Sequence, residues 1–186
     1  MKNKKQMILM MGGQGVGKGT FSRMLMSQHP YKYIETGAIL RSMPADSDIA
    51  KIISTGDLVP DEILFDLMRD SIDTNRDIII DGFPRRVSQA KWLVENYADK
   101  FDIYVLYLDA PTDILIARIN KRINAGSNRP DDASVDVIRR RLDNFFNETI
   151  PAVEWLRTAH GVHFAQVDSR GNIDENFAEI IAALEK

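Results

Sequence analysis

Apolar residues along this chain follow two periods. Short apolar runs at residues 7–11, 31–34, 78–80, 103–108 and 162–167 predict five strands. The intervening segments carry the three-to-four-residue spacing of helices: 21–29, 36–42, 49–54, 86–97, 112–123 and 173–184. After Pro60, the residues Ile63, Leu64, Leu67 and Met68 form one apolar helix face. A long helix is predicted from about residue 133, and Pro151 should end or kink it. Strands alternating with helices predict an α/β fold, a parallel sheet covered on both faces. Ligands of such sheets bind at the carboxyl ends of the strands. The segments 36–60 and 124–132 fit poorly as core connections and are expected to be lobes over that edge.

One strand end carries the strongest chemistry. The run 7–11 breaks into Gly12-Gly13-Gln14-Gly15-Val16-Gly17-Lys18, which matches G-x-x-x-x-G-K. Glycines let successive N–H groups turn around an anion without Cβ clashes. The following helix adds its positive end, and Lys18 adds an ammonium. Gly19 occupies the usual Ser/Thr position of the motif, with Thr20 one place later.

Asp81 ends the apolar run 78–80. An aspartate beside a phosphate loop is the usual partner of a hydrated Mg²⁺, although Asp-Gly is also a common turn pair. Arginines supply a third signal: Arg41, Arg85, Arg129, the helical pair Arg118 and Arg122 four residues apart, and the run Arg139-Arg140-Arg141. Their forks suit phosphate, and phosphoryl transfer needs such clamps. A solvated face is the competing reading for any one of them, and the preferred one for Arg139 and Arg140.

Composition sets bounds. The 186 residues suggest one domain, with 44% hydrophobic and 27% charged residues. Cysteine is absent, which excludes disulfides and thiolate zinc sites and fits a reducing compartment. A net charge of −3 gives no global basic field for nucleic acid. No apolar run reaches membrane-span length, and the basic start runs into the glycine loop rather than a cleavage site.

The segments GGQGVGKGT (12–20), TGAILR (36–41), GDLVPDE (56–62), DGFPRRVSQA (81–90), ARINKR (117–122), RPDD (129–132) and RRRL (139–142) stand in the order of one family. With them the chain resembles the nucleoside monophosphate kinases, most closely the adenylate kinase family in its short-lid form. The resemblance implies a P-loop NTPase-type five-stranded parallel sheet flanked by helices. It implies a core of 1–35, 61–123 and 133–186, a monophosphate-binding lobe at 36–60 and a short lid at 124–132. It implies Mg²⁺-dependent transfer, ATP + AMP ⇌ 2 ADP, by a cytoplasmic monomer with no zinc, nucleic-acid partner or membrane.

The implied roles run residue by residue. Gly15, Val16, Gly17, Lys18, Gly19 and Thr20 would cradle the ATP phosphates. Arg118 would stack on the ATP base, and Gly171 would touch it. Thr36, Gly37, Arg41, the backbone of Asp57, Leu58 and Val59, then Gly82, Phe83, Pro84, Arg85 and Gln89 would hold AMP. Arg41 and Arg85 would grip its phosphate. Arg122, Arg129 and Arg141 would surround the transferred group with Lys18 and Arg85, and Asp81 would hold a Mg²⁺-bound water. The chain departs from the family pattern at Gln14, at Phe21, at Ala38 where an aspartate is usual, and in a shortened 36–56 segment. An extra residue after Asp132 leaves Arg140 as an alternative to Arg141. A pyrimidine monophosphate kinase, another small-metabolite kinase and a non-catalytic nucleotide-binding regulator are the competing readings.

Overall fold

A computed structural model describes residues 4–126 and 134–185. Five strands form one wholly parallel sheet: β1 (Lys5–Met11), β2 (Lys32–Glu35), β3 (Ile78–Asp81), β4 (Phe101–Asp109) and β5 (Val162–Asp168). Their spatial order is β2-β3-β1-β4-β5. The strand carrying the glycine loop is therefore central. Met10 pairs with Asp81, and Asp81 in turn pairs with Glu35, so three strand ends line up at one edge.

Both faces of the sheet are covered, which is why its strands read as apolar runs rather than alternating ones. Helices α1 (Lys18–Gln28) and α2 (Thr36–Arg41) follow β1 and β2, and α3 (Asp48–Ser54) and α4 (Asp61–Ser71) precede β3. Then come α5 (Val87–Tyr97), α6 (Thr112–Asn124), α7 (Val135–Asn144), α8 (Ile150–Arg157) and α9 (Ile173–Leu184). On one face, Met7, Leu9, Ile34, Ile78 and Ile80 pack with Leu64 and Met68 of α4, Leu93 of α5 and Val153 and Leu156 of α8. On the other, Ile8, Met10 and Ile79 pack with Phe21 and Leu25 of α1, Leu115 of α6 and Phe177 and Ile180 of α9. Ile78, Ile79 and Ile80 expose nothing. Each such side chain contributes about 1.5–3 kcal/mol by leaving water.

Helix ends follow local chemistry. Ser47 accepts from the Ala50 N–H at the start of α3, and Ser134 from the Val137 N–H at the start of α7. The long helix expected to end or kink at Pro151 instead continues past it, its turns changing before the proline. The turn Phe145–Thr149 widens to a π-helix, and α8 then continues with Pro151 in its first turn. A proline lacks the N–H and crowds the carbonyl four residues back; the first turn of a helix is where neither matters. Several strands also extend past their apolar runs: β1 begins at Lys5 and β4 at Phe101, recruited by the ladder between them.

Leu93 is fully buried between α5 and the sheet. Leu93→Ala is expected to lower unfolding free energy by about 2–5 kcal/mol in urea titration. A change below about 1 kcal/mol would show that this face packs loosely.

Candidate active site

The loop between β1 and α1 closes on itself through Val16 N–H to Gly13 O and Thr20 N–H to Gly17 O. Gly12 has φ +135°, and a Cβ there would lie 2.4 Å from the Leu108 carbonyl oxygen, so a side chain is excluded on both counts. Lys18 folds back over the loop and donates to Gly12 O at 2.8 Å and Gly13 O at 3.1 Å. Burial pushes its ammonium down to about 8; Asp81 opposes that, while Arg85, Arg141 and Arg122 add to it. Cations gathered this closely raise one another's energy until an anion enters.

They line a cleft of about 300 Å³ at the carboxyl edge of the sheet, together with Gly15, Thr20, Asp81 and Arg118. A second cleft lies beside it, walled by Thr36, Gly37, Leu40, Arg41, Leu58 and Val59. Gly37, Arg41, Gly82, Arg85 and Arg141 border both. The structure thus brings most sequence-identified residues into two adjoining anion-seeking spaces that share three arginines.

Asp81 is buried, and its Oδ2 accepts from the Tyr33 hydroxyl at 3.1 Å. Burial and the nearby Asp81 and Glu35 carboxylates push the Tyr33 phenol up, so it remains a donor. The Asp81 carbonyl accepts from the Thr36 hydroxyl at 3.0 Å. Gly82 follows at φ +93°, where a Cβ would fall 2.4 Å from that same hydroxyl oxygen. Arg85 is aimed by its Nε–H, which donates to Gly82 O at 2.9 Å. Phe83 and Pro84 are buried under this turn, joined by a cis peptide.

Other residues stand differently. Gln89 is fully buried: its Nε2 donates to Asp61 at 2.8 Å and its Oε1 accepts from the Arg85 N–H at 2.7 Å. Arg118 donates to Val16 O at 3.2 Å and to Ser169 O at 2.7 Å, clamping α6 and the end of β5 to the glycine loop. Gly171 lies exposed beyond that clamp. Arg140 turns outward to Asp57 at 2.9 Å, whereas Arg141 lines both clefts. Asn144 adds a bond from its amide to Gly56 O at 2.9 Å, tying α7 to the segment before α4. Arg129 and most of the expected lid, residues 127–132, lie outside the described residues.

Sequence reasoning missed Tyr33, Glu35, Asp61 and Ser169. Tyr33 and Glu35 are two residues apart on β2, so strand period puts them on one face; the register of β2 against β3 adds Asp81 to it. Ser169 comes two residues after the predicted strand 162–167, and directly after the observed β5, at the ligand-binding edge. Asp61 gave no signal, because its partners Arg86, Ser88 and Gln89 come from another helix.

The chain matches the family described as adenylate kinase over residues 10–160. It is 36% identical to the adenylate kinase of Porphyromonas gingivalis, covering 96% of this chain and 95% of that one. It is 31% identical to the adenylate kinase of Phocaeicola vulgatus, over 96% and 98% of the two chains. Adenylate kinase isoenzyme 1 of Gallus gallus is 30% identical, over 97% and 95%.

Burial alone would raise the Asp61 carboxyl, but hydrogen bonds from Ser88, Gln89 and Arg86 outweigh it and hold it below its usual value. A carboxyl depressed in the fold stabilises above its unfolded value and loses that contribution as pH falls through the folded one. Asp61→Ala is expected to cost about 1–3 kcal/mol at pH 7 in urea titration. The gap from wild type should narrow below pH ~4; a pH-independent gap would place the loss in packing instead. The glycine loop, Lys18, the DGFPR turn and the full-length matches together make this chain a member of the adenylate kinase family.

Proposed function

We propose that this chain carries out reversible phosphoryl transfer between ATP and AMP, yielding two ADP. The observation that carries the reading is the pair of adjoining clefts joined at Arg41, Arg85 and Arg141. A single-nucleotide switch needs one phosphate site, whereas two phosphate-bearing substrates need two that meet. The glycine loop from Gly15 to Thr20 holds the ATP phosphates. Arg118 and Gly171 stand on the ATP base side. Thr36, Gly37, the backbone of Asp57, Leu58 and Val59, and the turn Gly82 to Arg85 hold the monophosphate nucleotide. Arg41 and Arg85 grip its phosphate, and Arg122, Arg129 and Arg141 surround the group in flight with Lys18.

The acceptor phosphate oxygen is already an anion, so no general base is required; positioning and charge neutralisation carry the rate. Lys18, tethered by two carbonyls, is positioned over the loop before substrate arrives. The donor set fits Mg²⁺: Asp81 offers a hard carboxylate oxygen, and Mg²⁺ is typically held by one or two carboxylates plus substrate phosphates. No group of three metal-ligating side chains occurs among the described residues. Bound there through water, Mg²⁺ would neutralise phosphate charge.

AMP as acceptor rests on Thr36 and Gln89, whose groups can pair with an adenine edge. Of the two, Thr36 lines the monophosphate cleft, whereas Gln89 is fully buried, engaged by Asp61 and Arg85, and stands behind the turn that carries Arg85. Among the described residues no helix is long and apolar enough to cross a membrane.

An assay offering AMP, UMP, CMP and GMP with MgATP should show fastest turnover with AMP. Faster use of UMP or CMP would reassign the acceptor, and ATP binding without turnover of any would favour a regulator. Lys18→Met should lower kcat at least about 100-fold. A near wild-type rate would remove Lys18 from the mechanism.

Burial holds the Lys18 ammonium down to about 8. A bound triphosphate favours the protonated form, so binding takes up a proton above that value. ATP affinity should therefore fall between pH 7 and pH 9, by up to about tenfold per pH unit. Titration calorimetry in two buffers would read both the affinity and the proton uptake. A flat profile would show that Lys18 stays charged throughout.

A further inference from the structure

An aspartate is usual at position 38 in the family pattern noted above; this chain has Ala38, which is exposed. A carboxylate is therefore missing from α2, but another stands nearby. Glu35 is the last residue of β2 and pairs in register with Asp81, the last residue of β3. Register partners on neighbouring parallel strands project to the same face, about 4.8 Å apart in backbone. Tyr33, two residues earlier on that face, already reaches Asp81 through its hydroxyl.

Glu35 lines the cleft that holds Lys18, Gly19, Thr20 and Asp81, and is not part of the wall of the Thr36–Val59 cleft beside it. It thus faces the triphosphate side. Its Oε1 accepts from Arg41 Nη2 at 2.8 Å, with both side chains mostly shielded. That bond holds the carboxylate at the seam between the two clefts.

Resting on the phosphoryl-transfer reading above, we propose that Glu35 supplies the second carboxylate of the Mg²⁺ water shell, replacing the one absent at Ala38. It is a positioning residue: it accepts hydrogen bonds from metal-bound water and touches no reacting atom. Arg41 connects this role to the other substrate. A monophosphate gripped by Arg41 competes for the same guanidinium and leaves Glu35 freer to accept from water. The loss at 38 and the acid at 35 are then one exchange, moving the carboxylate from the first helical turn to the strand end.

The experiment uses Mn²⁺ as the metal and diadenosine pentaphosphate as the ligand filling both clefts. Electron paramagnetic resonance of free Mn²⁺ reads metal affinity in the complex, independently of turnover. Glu35→Gln keeps an oxygen for Arg41 while removing the charge, and should weaken Mn²⁺ about tenfold. Metal-free binding of the dinucleotide should stay close to wild type. Adding Ala38→Asp to Glu35→Gln should restore Mn²⁺ affinity. Unchanged Mn²⁺ affinity in Glu35→Gln, or a loss confined to metal-free nucleotide binding, would overturn the assignment and leave Glu35 a purely structural partner of Arg41. Failure of the wild type to bind the dinucleotide would overturn the kinase reading, and this assignment with it.

Discussion

Holding Lys18, Arg85, Arg122 and Arg141 around one cleft is the constraint on which the carboxyl edge of the sheet depends. Unscreened, such cations repel by several kcal/mol even at moderate dielectric. The fold sustains the arrangement by anchoring two of them from behind. Lys18 rests on two loop carbonyls, and Arg85 is held by Gly82 O. Asp81 supplies an opposing charge at the centre, itself held by Tyr33. The anchors rest in turn on β1 and β3, whose side chains between Met7 and Met11 and between Ile78 and Ile80 are buried on both faces. A rigid, apolar sheet keeps the charges where solvent would disperse them.

The same device recurs around the rim. Arg118 is committed to Val16 and Ser169, so α6, the glycine loop and the end of β5 are joined by side-chain bonds. Asp61 gathers Arg86, Ser88 and Gln89, which fixes the start of α5 and, through Gln89, the backbone of Arg85. Asp57 and Gly56 engage Arg140 and Asn144, which brings the segment 36–60 against α7. Substrate grip and scaffold therefore share residues, and most polar side chains near the clefts have a structural bond as well as a chemical task. Glu35 fits this pattern, bonded to Arg41 and lining the cleft of the phosphate loop.

Five parallel strands, the glycine loop, Asp81 at a strand end and the arginines around it were legible along the chain. The reason is that each depends on local periodicity or on a motif of contiguous residues: an apolar run doubly buried in a parallel sheet, a φ that only glycine tolerates at Gly12, a helix dipole behind Lys18. The choice between Arg140 and Arg141, the engagement of Gln89 by Asp61, the clamp on Ser169 and the passage of a helix through Pro151 were not. These depend on which face of a helix meets which neighbour across long chain separations, and a change of helical twist at Phe145–Thr149 is enough to redirect every side chain after it. The placing of Glu35 beside Asp81 belongs to the same class. The sequence by itself determined which groups are available; the register of β2 against β3 decided that Glu35 and Asp81 face one cleft together.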